Sequence, residues 1–136
     1  MDKTAPVRNL IKAWNTLDLE FLLAQLADDA VFENIPMDPI VGKPAIRTAL
    51  QAFMNQCRSS PWELRNIALS ERGTVLTERD DVFFLKDGRR VNCLCMGAFE
   101  VNASGLITHW RDYFDLADWN RAMKLDPDFA RRTHRS

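Results

Sequence analysis

The chain has 136 residues, of which 46% are hydrophobic and 27% charged, with a net charge of −1. That length and mix predict a single domain over 1–136, with a core at about 5–123 that is large enough to fold around. The charge balance gives no basic face for nucleic acid, and no apolar run reaches the ~20 residues of a membrane span.

An odd count of three cysteines, behind a Met1-Asp2-Lys3-Thr4 start without a secretory pattern, predicts a reduced, cytoplasmic protein. The first helix should begin at Thr4, with Pro6 in its first turn. Val7, Leu10, Ile11, Trp14 and Leu17 then recur at helical spacing. Asp18 can cap a second short helix that carries Leu19, Leu22, Leu23 and Leu26. Ala30 to Pro36 reads as a short strand running into a proline-rich loop. Phe32 and Asn34 share one of its faces, and Asn34 reads equally as a strand-end turn residue or as a pocket amide. Lys43-Pro44 starts a third helix, with Ile46, Ala49, Leu50, Phe53, Met54 and Cys57 as its apolar stripe.

After Ser59-Ser60-Pro61 the pattern changes to period two. Trp62 to Leu69 alternates, with Trp62, Leu64, Asn66 and Ala68 on one face and Glu63, Arg65, Ile67 and Leu69 on the other. Val75 to Leu85 follows, then the hairpin signal Asp87-Gly88. The return strand, about Arg90 to Val101, puts Val91, Cys93, Cys95, Gly97 and Phe99 on one small, apolar face. Thr108 to Asp115 is the last strand, and a short helix to Met123 places Trp119 where it can fold over the sheet. The tail from Asp126 to Ser136, with Arg131, Arg132 and Arg135, reads as a solvated terminus. Three helices, one short strand, four long antiparallel strands and a last helix predict an α+β fold. Its curved antiparallel sheet would form a cone-shaped pocket, with helices packed on one face.

Two strands carry charges on their apolar faces. Trp110, Asp112 and Phe114 point one way, so a carboxylate sits between two aromatics. Val75, Thr77, Arg79, Asp81, Phe83 and Leu85 share a face that is apolar at its ends and ionic in the middle. A buried carboxylate needs a partner, and one guanidinium can bridge two. If the faces meet, Asp81, Arg79 and Asp112 form a coupled acid and base that work near neutral pH. The other reading of the same charges is a salt bridge on a solvated face. No metal site is expected: Cys93-x-Cys95 lacks a second ligand pair, and His109 and His134 are isolated.

The chain resembles the limonene-1,2-epoxide hydrolase family, a branch of the fold shared with nuclear transport factor 2 and ketosteroid isomerase. Asn34-Ile35-Pro36-Met37-Asp38-Pro39, the Gly42 region, Thr77-Glu78-Arg79-Asp80-Asp81-Val82, Gly97-Ala98-Phe99 and Trp110-Arg111-Asp112-Tyr113-Phe114-Asp115-Leu116 carry the resemblance. It covers roughly Ala5 to Trp119. By that resemblance Asp112 is a general base on water, Asp81 a general acid on the epoxide oxygen, and Arg79 the bridge between them. Asn34 would help hold the water. No cofactor is implied. The substrate would be a hydrophobic small-molecule epoxide, with Phe32, Phe83, Cys93, Cys95, Phe99, Phe114 and Trp119 around it. A homodimer through the open sheet face is the expected assembly. One position departs from the family: it has tyrosine where this chain has Phe32, so the water loses a hydrogen-bond partner. An isomerase or cyclase, or a binding protein for an apolar small molecule, remain the alternatives on this fold.

Overall fold

Helix α1 (Thr4–Thr16) begins where Asp2 accepts from the Thr4 backbone N–H at 2.9 Å. The structure, a computed structural model, describes residues 1–124; the expected tail at 126–136, with His134, lies outside them. Val7, Leu10, Ile11 and Trp14 bury the inner stripe of α1. Asp18 caps α2 (Leu19–Leu23) by accepting from Phe21 N–H at 3.0 Å. The chain then enters β1 (Leu26–Ile35). Leu26, expected on the second helix, pairs instead with Ile107, and the strand begins well before Ala30. A register shift between Leu26 and Val31 explains the difference. The exposed Asp28 and Asp29 sit on that irregularity and hide the strand's period.

β2 (Ile40–Val41) is a short partner of β1, and α3 (Lys43–Met54) carries Pro44 in its first turn. Ile46, Leu50 and Met54 are its buried residues. Cys57, expected on that stripe, belongs to β3 (Cys57–Ser59). The meander follows as β4 (Trp62–Leu69), β5 (Val75–Leu85), β6 (Arg90–Val101) and β7 (Ile107–Phe114), and α4 (Leu116–Met123) closes the described chain. Asp115 caps α4 by accepting from Asp118 N–H at 3.0 Å.

The strands form one curved, unclosed sheet in the order β2-β1-β7-β6-β5-β3, with β4 also on β5. The fold is α+β, but the sheet is mixed rather than antiparallel, because β1 runs parallel to β7. Periodicity cannot give a strand's direction; the α1–α2 hairpin delivers β1 to the far side of the meander. β4 corrects a second expectation. A register shift between Leu64 and Asn66 turns Ile67 inward and leaves Asn66 and Ala68 exposed. β5, β6 and β7 keep their alternation. Thr77 faces Gly97, Arg79 faces Cys95, Asp81 faces Cys93, and Gly97 faces Asp112. Below them Phe99, Trp110, Ile107 and Val75 join the helices' apolar stripes in one buried cluster. Fully burying such side chains stabilises the fold by about 1.5–3 kcal/mol each.

Candidate active site

At the middle of the concave face, Arg79 is fully buried, with Asp81 and Asp112 beside it. The guanidinium meets Asp81 side-on: Nε donates to Oδ1 at 2.9 Å and Nη2 to Oδ2 at 2.8 Å. Nη2 also donates to Asp112 Oδ2 at 3.0 Å and to Cys95 Sγ at 3.2 Å. Nη1 donates to Thr77 Oγ1 at 3.0 Å. The Trp62 ring lies 4.9 Å from Arg79 Cζ and the Phe99 ring 5.9 Å away. Such contacts are favourable when the cation is desolvated.

The electrostatics follow from burial. Burial works against the Arg79 charge, but Asp112 and Asp81 outweigh it and hold the guanidinium charged well above its ordinary range. For Asp81 burial wins: despite the hydrogen bonds from Arg79, the carboxyl is raised to about 6. Asp112 Oδ1 is buried and takes no hydrogen bond from the described residues. A buried acceptor without a donor is an unusual expense in a folded protein, and it marks where a proton can go. The site therefore offers a carboxyl that keeps its proton towards neutral pH, a second carboxyl with one oxygen that no described residue bonds, and a fixed cation between them.

A cavity of about 400 Å³ opens above this centre. Its walls include Phe32, Asn34, Phe83, Cys93, Cys95, Phe114 and Trp119, with Asp81 and Asp112 as the acidic groups. Asn34 is directly opposite Asp112 in the parallel β1–β7 pair, which places its amide beside the carboxylate's strand position. Phe32 stacks on Trp110, with centroids 4.0 Å apart. Phe99 corrects the expected lining: it is fully buried and absent from the cavity wall. It sits one inward position below Gly97 and packs against Trp110 and beneath Arg79.

Several wall residues carried no readable signal. Trp14 and Trp62 stack at 4.7 Å and form one side; Trp62 is also opposite Asp81 in the β4–β5 pair. Leu50 and Phe53 come from α3, Met37 from the loop after β1, and Ile40 from β2. Trp62 does lead the apolar half of its alternating strand, but nothing local says that this half faces Arg79.

One group with metal-ligand geometry was not visible in the sequence. Asp81, Cys95 and Asp112 bring ligand atoms within 4.8 Å of one another. They come from three strands, so no sequence spacing reveals them. The point they share is already taken by a cation, since Arg79 Nη2 donates to all three. Burial, with Asp81 next, pushes the Cys93 thiol up to about 12, and burial with Asp112 pushes Cys95 further. Thiols so raised stay protonated and are poor ligands and nucleophiles.

Comparison with known proteins bears on the family and the fold. The family described as the limonene-1,2-epoxide hydrolase catalytic domain matches residues 1–124. Epoxide hydrolase EphG of Mycobacterium tuberculosis (strain ATCC 25618 / H37Rv) is 34% identical over 113 residues, which cover 82% of this chain and 72% of that protein. The solved structure of an M. tuberculosis LEH-like epoxide hydrolase superposes with a TM-score of 0.75 at 31% identity, covering 90% of this chain and 89% of that one. SalBIII, an epoxide hydrolase/cyclase-like enzyme in pyran ring formation in the polyether salinomycin, shares the fold. Its TM-score is 0.77 at 16% identity, covering 85% of this chain and 92% of its own.

Proposed function

This chain belongs to the limonene-1,2-epoxide hydrolase family, and from that premise we propose that it adds water to a hydrophobic epoxide in one step. Asp112 takes a proton from a water through Oδ1 as the water oxygen attacks an epoxide carbon. The carbon–oxygen bond of the ring breaks, and Asp81 gives its proton to the departing oxygen. The product is a vicinal diol. Asp81 is then ionised and Asp112 protonated, and Arg79, bonded to both, holds them close enough for the proton to return. Asn34, opposite Asp112, orients the water. The observation that carries this reading is a charged guanidinium bridging two buried carboxyls, one of which is raised to about 6. Attack on carbon and protonation of oxygen must occur together, and one acid with one base supplies both.

The aromatic walls select an apolar substrate such as a terpene or aryl epoxide. No cofactor takes part, and a strong chelator should leave turnover unchanged. The test is a single turnover of an epoxide panel in ¹⁸O-labelled water, followed by mass spectrometry. One-step hydrolysis puts the label into the first diol; unlabelled first-turnover diol would mean a covalent ester and overturn the scheme.

Phe32 favours a second reading. Its ring lies against Trp110 and offers a water no donor. A hydroxyl within the substrate needs less holding than a free water. The same acid and base would then close a cyclic ether, with no mass gain. Saturable binding of epoxides with neither product would instead indicate a binding protein. The partner in assembly is a second copy, seated on the outer sheet face where Leu76, Leu94, Met96 and Tyr113 are exposed; a monomer in sedimentation would refute that. Among the described residues no helix is long and apolar enough to cross a membrane. The three free thiols fit a reducing, cytoplasmic setting.

A further inference from the structure

The Nη1 corner of the Arg79 guanidinium is bordered by two residues that the scheme above does not use. Thr77 Oγ1 accepts from Nη1 at 3.0 Å and is oriented to donate to the Gly97 carbonyl at 3.3 Å. Thr77 is 1% exposed, so neither bond is exchanged with solvent. Gly97 stands between them and Asp112 in the sheet, paired with Thr77 on one side and Asp112 on the other. A Cβ at Gly97 would lie 2.6 Å from Asp112 Oδ1, 3.0 Å from Phe99 Cε1, and closest of all to Arg79 Nη1. Its backbone is outside the left-handed region, unlike Gly73, Gly88 and Gly105. Space, and not backbone conformation, is what calls for glycine here. Glycine weakens a strand interior, so the space has a use that offsets that loss.

We propose that Thr77 and Gly97 are positioning residues that hold the plane of the Arg79 guanidinium, and through it set how one proton is divided between Asp81 and Asp112. The proposal rests on the acid–base reading of this same site. Trp62 and Phe99 approach the guanidinium by their rings and give it no directional bond. Asp81, Asp112 and Cys95 hold Nε and Nη2, and Thr77 is the acceptor that holds Nη1. Without its hydroxyl, Nη1 loses its acceptor in a dry site, and the guanidinium rotates to find another. The side-on pair with Asp81 is then the first geometry to go. A methyl at Gly97 acts on the same nitrogen, by displacing Nη1 and Asp112 Oδ1 together. Among the described residues, the charged and titratable groups facing Asp81 are Arg79 on β5, Cys93 and Cys95 on β6, and Asp112 on β7, with Asp80 acting from the outer face of β5. The cavity residues from α1, α3 and α4 bring none.

The experiment is carboxyl ¹³C NMR titration of the full chain, with kcat and KM measured alongside. Loss of one hydrogen bond of about 1 kcal/mol in Thr77→Val should raise the Asp81 midpoint by roughly half to one unit. The same loss should lower kcat several-fold to about tenfold with KM unchanged, compared below pH ~6, where Asp81 is protonated in both chains. Thr77→Ser, which keeps the hydroxyl, should restore both. Gly97→Ala should lower kcat by about a hundredfold, as small misplacements of reacting groups do. If Thr77→Val does not fold, Thr77→Ala carries the same measurement with a smaller side chain. An unchanged midpoint in a folded Thr77→Val or Thr77→Ala chain, whatever its melting temperature, overturns the proposal. An unchanged kcat in folded Gly97→Ala overturns the part assigned to Gly97. The NMR midpoint needs no substrate. A shifted midpoint in a chain that opens no epoxide therefore sinks the hydrolase reading alone, and an unmoved midpoint in an active one sinks this inference alone.

Discussion

Strand β5 carries two ionic clusters one residue apart, on opposite faces. Inward, Arg79 and Asp81 join Asp112, with side chains 7% exposed or less. Outward, Glu78 accepts from Asn66 at 2.7 Å, and Asp80 accepts from Asn92 at 3.0 Å with Arg65 3.7 Å away. The residue types match, and both sets look like ion pairs on paper. They differ in what surrounds them. Water competes for every outward contact and screens its charge. Inside, the protein alone solvates the charges, so removing one member leaves the rest without compensation. Chemistry near neutral pH needs the inner kind, because only burial moves a carboxyl as far as Asp81 is moved.

The largest break in this comparison is Arg79→Ala. It should abolish diol formation and destabilise the fold by about 3–5 kcal/mol, since two buried carboxyls lose their cation. Denaturant melts measure the second effect. A variant as stable as wild type would mean that the inner cluster behaves like the outer one.

Asp112→Asn tests the chemistry without removing the cation. The amide oxygen can still accept from Arg79, so the chain should fold. Diol formation should drop by about 10²- to 10⁴-fold, the usual range for a lost general base. Asp81→Asn should do the same by removing the acid. Near-wild-type turnover in either variant would exclude that residue from the proposed role.

A pH profile tests burial directly. The acid must be protonated, so kcat/KM should fall about tenfold per unit above pH ~6. Stability carries the same signature. Folded Asp81 keeps its proton to about 6, whereas an ordinary aspartate releases it at 3.8. The stabilisation from this group is thus full below about 3.8 and lost as the pH rises through about 6. Asp81→Asn, which does not titrate, should lack that fall. A pH-independent difference between the two melting curves would put the Asp81 carboxyl back in its ordinary range.

Phe32→Tyr adds a donor to the inner region. The hydroxyl would give the water one more partner, and a hydrogen bond of about 1 kcal/mol or somewhat more is worth roughly tenfold in rate. The stacked Trp110 at 4.0 Å limits where the ring can move. An unchanged rate in a folded variant would show that another group already holds the water. Faster cyclic-ether formation instead of diol would favour the second reading.

The two clusters also differ in how far the sequence reveals them. Arg79 and Asp81 share a face by the strand's period of two, and the apolar neighbours Val75, Phe83 and Leu85 point that face inward. Asp112 is legible for the same reason, between Trp110 and Phe114. What joins them is register, and register comes from β6, whose Cys93, Cys95 and Gly97 carry little signal of their own. The cap at Asp18 and the Asp87-Gly88 turn were readable because their chemistry is local. The parallel pairing of β1 and the bulges in β1 and β4 were not, because they depend on which strands meet. Phe99 obeys the face rule and still misses the cavity, since periodicity gives a side but not a depth. The convergence of Asp81, Cys95 and Asp112 on one nitrogen required three strands to be in place.

The smallest expected effect is on the outer face, where Arg65→Ala removes a guanidinium just as Arg79→Ala does. Arg65 bonds Glu63 at 2.9 Å and lies 3.7 Å from Asp80, with its side chain 43% exposed. Each carboxylate it leaves behind can turn to water, and Asp80 keeps both contacts from Asn92. Exposed pairs of this kind often contribute nothing measurable. Melting temperature and diol formation should both match wild type within error, at low salt and at high. A loss in either would have to travel through the strand, because Leu64, next to Arg65, is opposite Arg79 in the β4–β5 pair. Measuring Arg65→Ala with Trp62→Leu separates the routes. If the outer charge acts only through water, Trp62→Leu alone should lower activity, because Trp62 is the β4 residue whose ring lies over the guanidinium. A deficit in Arg65→Ala that disappears in the Trp62→Leu background would show that the two faces of β5 are coupled, and that the contrast between them is one of degree.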